Sequence, residues 1–218
     1  VIPTDTINIH IDKDALLRSG IMLPKTIRHL KGEDLKDAIP DKLYIPLTDI
    51  RMLTKVDLLM LEMLANCNWE RPLYLAISVG SVSKLKFDNY FVQEGLAFRF
   101  TPFDYKKWGD VGENRLYAVD VERLYDNVMN RYKYGGLDTP GLYLDETTLR
   151  TCWYHRRLFA QLAKELIAQG DNERAKKVLA YAEQVIPGYN VPETHESGSY
   201  DIATAYAASV SYTHLTLP

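Results

Sequence analysis

The residues best suited to chemistry lie in one short polar segment, residues 66–72 (NCNWERP). The segment separates a helical apolar pattern from a strong strand pattern, and loops at strand ends often carry binding residues. Glu70 and Arg71 could bind a polar ligand, while the face of Trp69 could stack on a sugar ring. The alternative is a structural role, with Trp69 in the core and Glu70 paired with Arg71. Trp69, Glu70 and Arg71 are therefore candidate binding residues.

A second candidate segment begins at Asp88, Asn89 and Tyr90 and is followed by residues 93–95 (QEG). If this stretch is helical, its carboxylates lie about two turns apart. Glycosidases need two carboxylates held across a sugar at roughly 5–10 Å. Nothing in the sequence fixes that separation, and Asp88 also fits a helix cap. Asp88, Asn89 and Tyr90 are therefore candidate binding residues, and no catalytic residue is predicted.

The remaining chemistry-bearing residues form no pattern for a metal, a cofactor or nucleic acid. The five histidines are scattered, and no Gly-rich phosphate loop or nucleophile elbow occurs. A formal net charge of −3 gives no basic footprint for nucleic acid. Cys67 and Cys152 lack metal-site spacing and sit in apolar helical contexts, which predicts buried thiols. Whether these two cysteines are free stays open.

One basic stripe runs along a predicted helix in the second half of the chain. His155 lies there beside Arg156 and Arg157, and Arg150 and Lys164 extend the stripe. A helical histidine flanked by arginines is typical of a solvated or partner-facing surface. We therefore expect the stripe to lie on the solvent face of this helix.

The elements that must position the candidate residues are strands and short helices. Residues 73–79 have the strongest strand pattern, which Gly80 ends, and Pro46 places a further strand at a sheet edge. A short helix follows Asp12, and another covers residues 120–131. The predicted strands are residues 5–11, 42–47, 73–79, 97–101 and 115–119.

A longer helix precedes the first candidate segment. Thr54 opens it, and Asp57 three residues later gives a capping-box-like arrangement. Five apolar residues recur at helical spacing and predict one apolar face. They are Val56, Leu59, Met60, Met63 and Leu64.

The second half of the chain has the pattern of one tetratricopeptide-type repeat between Phe159 and Pro187. Gly170 suits the left-handed position after a helix, and Asp171 caps the next helix. Asp145 caps a first helix to residue 169, a second covers residues 172–186, and a third begins at residue 200. The positions that carry the repeat are Phe159, Leu162, Ala163, Leu166, Ala175, Leu179, Ala182 and Pro187.

The predicted fold class is α+β, a small mixed α/β region followed by a C-terminal tetratricopeptide-like helical repeat. The turn-rich residues 135–141 (GGLDTPG) mark the boundary. Residues 209–218 do not continue the helical period and are expected to be an artefactual tail. The predicted divisions are 1–134 for the α+β region, 135–145 for the linker, 146–208 for the repeat region and 209–218 for the tail.

Six segments follow one another in order across nearly all of residues 5–208. They are residues 55–61 (KVDLLML), 68–76 (NWERPLYLA), 88–97 (DNYFVQEGLA), 125–130 (YDNVMN), 134–136 (YGG) and 143–146 (YLDE). Together they resemble the C-terminal soluble region of a bacterial membrane family related to protein O-mannosyltransferases. Residues 68–76 are the most specific, and Cys67 departs from the polar or small residue expected there.

The resemblance implies a parent protein with many N-terminal transmembrane helices and a soluble tail on the extracytoplasmic (periplasmic) face. It also implies transfer from a lipid-linked sugar, by a catalytic acid in an early loop of the membrane part. No catalytic residue is therefore carried over to this chain, and the lipid-linked sugar would bind only to the membrane part. Because the chain begins without Met, we expect it to be a fragment.

The favoured function is a non-catalytic extracytoplasmic domain of a membrane glycosyltransferase, with the repeat binding an acceptor protein or partner subunit. One alternative is a free-standing tetratricopeptide adaptor for protein interactions. A third is a small carbohydrate-binding or hydrolytic module that uses Trp69, Glu70 and Arg71. The upstream sequence separates the first two, because only the first requires several apolar runs of about 20 residues.

Overall fold

A computed structural model describes residues 5–48, 50, 52–79, 85, 87–112 and 117–214 of the 218-residue chain. The chain divides into two compact units. The first comprises Val1–Gln93 and Ala97–Asp120, and the second comprises Glu94–Leu96 and Val121–Pro218. Strands occur in the first unit and long helices in the second, so the mixed α+β class predicted from the sequence is confirmed.

The first unit combines two small sheets with short helices. A 3₁₀ turn at Asp88–Tyr90 directly precedes the strand at Phe91–Gln93. In chain order its elements are β1 (Thr6–His10), α1 (Lys13–Arg18), α2 (Gly32–Ala38), β2 (Lys42–Pro46), α3 (Lys55–Asn66), β3 (Tyr74–Ala76), β4 (Phe91–Gln93), β5 (Ala97–Phe100) and β6 (Ala118–Val119).

The first sheet pairs β1 with β2 in antiparallel register, with Ile9 opposite Leu43. Both side chains are buried, as alternation along the two strands predicts. Helix α1 begins directly after β1, where the Asp12 carboxylate accepts a hydrogen bond from the Ala15 amide at 2.9 Å. The two predicted strands and the predicted Asp12 cap are therefore confirmed.

The second sheet has the order β3-β5-β4-β6, with β5 antiparallel to both of its neighbours and β6 parallel to β4. The prediction of a long strand over residues 73–79 is wrong, because β3 is a three-residue edge strand. After β3 the chain turns, and the Val79 amide donates to the Ala76 carbonyl at 3.0 Å. Gly80 and Arg115, which were assigned to strand ends, lie outside the described residues.

Helix α3 has the predicted capping box but buries a different face from the one predicted. The Thr54 amide donates to the Asp57 carboxylate at 2.7 Å. Asp57 is fully buried, and residues one and two turns later, Leu61 and Leu64, are buried on the same face. Val56, Leu59 and Met63 consequently lie on exposed positions. The five residues of the predicted apolar face are therefore not buried together, and the buried face of α3 contains Asp57, Leu61 and Leu64.

The second unit is helical. Helix α4 (Val121–Asp126) continues as a π-helical turn over Asn127–Arg131, and three longer helices follow. They are α5 (Glu146–Ala168), α6 (Asn172–Val185) and α7 (Ser199–His214). Helix α7 therefore continues the helical backbone beyond residue 208, where the sequence predicts a tail. The contacts group α4 with this unit, whereas the sequence division at residue 134 places it in the first region.

The turn between α5 and α6 has the local structure predicted from Gly170 and Asp171. Gly170 has φ of +83°, its amide donates to Ile167, and the Asp171 amide donates to Leu166, both at 2.9 Å. These two bonds form a Schellman motif. The Asp171 carboxylate then caps α6 by accepting from the Arg174 amide at 3.0 Å. The two helices bury Leu162 and Leu179 completely, among other residues.

Gly170→Ala is expected to lower the free energy of unfolding of the second unit by about 1 kcal/mol. A side chain at this left-handed position is strained, and no atom lies within 4 Å of the added Cβ to contribute any other effect. Urea denaturation followed by circular dichroism measures the change. Gly188→Ala is the control, because its added Cβ makes an ordinary contact: the nearest atom is a Glu193 side-chain oxygen at 3.4 Å. Equal stability of the two variants would contradict this account of the turn.

Candidate functional site

An aromatic cluster centred on Phe100 brings both candidate segments of the first unit together. Phe100 ends β5, and the rings of Phe87 and Phe91 meet it edge to face at 5.2 and 5.5 Å between centroids. Tyr90 stacks on it at 6.1 Å and Trp69 at 6.4 Å. Residues 69 and 90, distant in sequence, therefore contact the same ring.

Trp69 is a core residue of the first unit. Only 6% of its surface is exposed, and its indole Nε1 donates to the His10 carbonyl at 2.9 Å. It follows Asn68, and both residues have positive φ angles of 47° and 61°, which place the indole back on β1. This placement corresponds to the structural alternative for Trp69, because its ring stacks on Phe100 instead of on solvent.

Glu70 and Arg71 lie on the surface, and no ion pair joins them in the described part of the chain. Arg71 borders a recess of about 10 Å³ together with Trp69, Cys67 and the buried Arg99. A volume of this size holds about one water molecule. The recess is therefore too small for a sugar. Of the two exposed side chains only Arg71 borders it, and both remain candidate binding residues.

The second candidate segment is held through its backbone. The Asn89 carbonyl accepts from the Tyr105 amide at 3.0 Å, and the Tyr90 carbonyl accepts from the Thr101 amide at 2.9 Å. Burial, followed by the charge of Asp104, raises the pKa of Tyr90. The Asp88 side chain is exposed. Of these candidates, Asp88 is thus the one whose side chain faces solvent most fully.

The carboxylate pair considered for glycosidase chemistry has no helix to hold it. Asp88 lies in the 3₁₀ turn, whereas Glu94 follows strand β4, so the proposed two-turn helical spacing is wrong. Glu94 is buried and its carboxylate pairs with Arg123 at 3.1 Å. The Asn127 side chain, in the π-helical turn, donates to the Glu94 carbonyl at 2.6 Å. The Glu94 carboxylate is therefore engaged in a structural ion pair.

Arg99 is a buried cation that the sequence analysis missed. Its Nη2 donates to the Ser19 carbonyl at 3.0 Å and to the Ser19 hydroxyl at 2.8 Å. These bonds satisfy the C-terminal end of α1, where helix carbonyls lack intrahelical partners. A charged residue inside an otherwise aromatic strand (AFRF) was the available signal.

Arg156 overturns the prediction that the basic stripe of α5 lies wholly on a solvent face. It is 5% exposed, and its guanidinium donates to the carbonyls of Ile186 at 3.2 Å and Val191 at 2.8 Å. It also donates to the Ser199 hydroxyl at 3.3 Å. Burial lowers the pKa of Arg156. The side chain therefore fastens the connection between α6 and α7 to α5.

His155 also differs from its predicted solvated position. Its ring meets Tyr134 edge to face at 5.3 Å and Tyr132 at 5.7 Å between centroids. Tyr134 in turn packs against Phe159 and Tyr181. Burial lowers the pKa of His155, and its Nδ1 has no hydrogen-bond partner among the described residues. The physical cause is packing of residues 132–134 over this face of α5.

A cleft of about 380 Å³ lies beside α6 and α7 in the second unit. Its lining combines apolar side chains with polar ones, among them Tyr206 and two glutamates, Glu183 and Glu193. The described residues contain no cluster of three potential metal ligands. Cys67 and Cys152 are both free thiols, and burial raises the pKa of Cys152. Because its lining combines apolar side chains with exposed carboxylates, the cleft is a candidate ligand site of the helical unit.

These elements define a mixed α+β domain that is continued by a helical unit. The family described as TMEM260-associated domain 2 matches residues 1–122, which is more than half of the chain, and the chain belongs to this family. It is thus a domain associated with a membrane protein. No curated protein and no solved structure matches the chain. None of the helices in the described ranges is long and apolar enough to cross a membrane.

Trp69→Ala is expected to lower the free energy of unfolding of the first unit by about 3–5 kcal/mol, because it removes a buried aromatic ring. Glu70→Ala and Arg71→Ala, at exposed neighbouring positions, should each change it by no more than about 0.5 kcal/mol. Thermal and urea denaturation followed by far-ultraviolet circular dichroism give the three values. Wild-type stability of a folded Trp69→Ala protein would show that the indole does not support the core.

Stability of the second unit is expected to fall as the pH drops below the ordinary histidine pKa of 6.5. Because burial lowers the pKa of His155, the unfolded chain takes up this proton first, and acid favours unfolding. The contribution is complete above pH 6.5 and is lost as the pH falls through the folded-state pKa. His155→Phe keeps an aromatic ring and should remove this part of the pH dependence.

The measurement compares unfolding free energies of the wild type and His155→Phe at several pH values from 8 to 5 (roughly the window in which histidine titrates). The difference between the two proteins should move in favour of the variant as the pH falls. His29→Phe, at an exposed position, controls for the loss of a histidine. Parallel pH profiles for the wild type and His155→Phe would contradict the expectation.

Proposed function

We propose that the chain is a non-catalytic, extracytoplasmic C-terminal domain of a membrane glycosyltransferase of the protein O-mannosyltransferase type. The observation that carries the proposal is the family match over residues 1–122, a domain associated with a membrane protein. The resemblance of residues 68–76 and the segments after it to the O-mannosyltransferase-like family supplies the glycosyltransferase part. In this proposal the lipid-linked sugar binds only to the membrane part of the parent protein.

The first unit would serve as a rigid spacer or support beside the membrane part. Its most chemistry-like aromatic residues, Trp69 and Tyr90, are packed on Phe100. Its buried cation Arg99 is bonded to the end of α1. These arrangements favour a structural role for residues that would otherwise suggest a sugar site.

The second unit would bind the acceptor protein or a partner subunit as a tetratricopeptide-like repeat. Three features support this assignment: a tight Gly170 turn joins α5 to α6, small residues are buried between the helices, and α7 packs on α5. Repeats of this kind stack helices and leave extended surfaces for partners. The buried small residues are Ala163, Ala175, Ala182 and Ala205.

The test assays sugar transfer from a lipid-linked donor by three proteins: the complete parent enzyme, the enzyme lacking residues 121–218, and the 218-residue chain alone. The isolated chain should give no turnover. The truncated enzyme should retain transfer to a short acceptor peptide but lose most transfer to a folded acceptor protein.

Two outcomes would contradict the proposal. Turnover by the isolated chain would place catalysis in these residues. Absence of any membrane-embedded parent enzyme would instead support the free-standing adaptor. Protease protection of the parent protein in sealed vesicles determines the side of the membrane, which we expect to be extracytoplasmic.

A further inference from the structure

Four aliphatic residues that line the cleft beside α6 and α7 form an apolar surface suited to an aliphatic chain, which we term its apolar floor. Ala182 lies on α6, Ile186 directly follows the last residue of α6, and Ile202 and Ala203 lie on α7. Its volume of about 380 Å³ lies near the lower end of ligand pockets, which span about 300–1,000 Å³. A cleft of this size accommodates one long side chain and its neighbouring backbone.

The accessible charge around this floor is negative. Glu183 and Glu193 line the cleft, and both are exposed. The Tyr206 hydroxyl is hydrogen-bonded to Glu183, and burial together with this bond raises the pKa of Tyr206 to about 12. Tyr206 is therefore neutral near pH 7, holds one carboxylate in place and presents an aromatic surface to the cleft.

Arg156 does not make the accessible charge of the cleft positive, although it forms part of the wall. Its guanidinium is almost fully buried and donates to the carbonyls of Ile186 and Val191 and to the hydroxyl of Ser199. Its donors are thus engaged by acceptors of the protein. The charge of Glu193 partly offsets the effect of burial on the pKa of Arg156. The cleft therefore holds two exposed carboxylates against one buried cation, and this excess of negative charge favours a cationic occupant.

We propose that the α6–α7 cleft binds a lysine or arginine side chain of the partner protein. The aliphatic stem packs on the apolar floor while the charged head reaches Glu183 and Glu193, as long basic side chains commonly do at such surfaces. The Tyr206 ring adds a cation–π contact. This deepens the proposed function, on which it rests for the identity of the partner, by specifying the chemistry that the helical unit recognises.

The test is a nuclear magnetic resonance titration of the isotopically labelled 218-residue chain with small probes. The probes are the N-acetyl amides of arginine, lysine, norleucine and glutamate. The arginine and lysine probes should shift the amide signals of residues 182–186, 188 and 202–206. Norleucine has the same apolar stem as lysine without the charge and should bind more weakly, and added salt should weaken only the cationic probes.

Glu183→Gln combined with Glu193→Gln should weaken arginine binding by about tenfold, the effect of losing two exposed charge pairs. Glu173→Gln, an exposed glutamate on the same helix α6, is the matched control and should leave binding unchanged. Circular dichroism verifies that each variant is folded. Equal binding of norleucine and lysine would instead identify an apolar docking groove, and binding of the glutamate probe would identify an anion site. Either result, or no shift with any probe, overturns the proposal.

This experiment is independent of sugar transfer. If the arginine probe did not bind, the proposed recognition chemistry would be wrong, and the glycosyltransferase proposal would still stand. Conversely, binding of arginine together with a parent protein that has no membrane part would place the same cleft in a free-standing adaptor.

Discussion

The packing of four aromatic rings on Phe100 is the constraint on which the first unit depends. Phe100 ends the central strand β5, and its neighbours come from the turn after α3, the 3₁₀ turn before β4 and β4 itself. One ring thereby fixes where several short elements end. Because these elements contain only a few residues each, side-chain packing has to supply the order that long hydrogen-bond ladders supply in larger sheets. Trp69 and Tyr90, the residues most suited to stacking on a sugar, are therefore packed on Phe100 instead.

In the helical unit, the buried guanidinium of Arg156 is the corresponding structural constraint. A buried charge is costly unless its donors are satisfied, and this guanidinium is satisfied by two backbone carbonyls and a hydroxyl. These acceptors belong to the end of α6, the following connection and the start of α7. The requirement to satisfy one cation therefore determines how the chain travels between the two helices, and with it the shape of the cleft that they border.

Features that depend on neighbouring residues could be predicted from the sequence. The Asp12 cap, the Thr54–Asp57 capping box and the Gly170–Asp171 turn are local, and each was found as predicted. The buried face of α3 and the short length of β3 could not be predicted, because they depend on distant partners. The same holds for the burial of Arg156, whose acceptors lie 30, 35 and 43 residues away in sequence. Periodicity indicates that a helix has faces, but its partners decide which face is buried.

The two units share one physical principle that bears on function. Buried polar groups such as Arg99, Glu94 and Arg156 bond to other groups of the same unit at the ends of helices and strands. Their charges are therefore engaged within each unit. The charges that remain accessible to a ligand lie on the surface. Around the α6–α7 cleft these are Glu183 and Glu193. In the proposed recognition, the interior cation Arg156 is bonded within the fold, and the two surface carboxylates select a positively charged group of the partner.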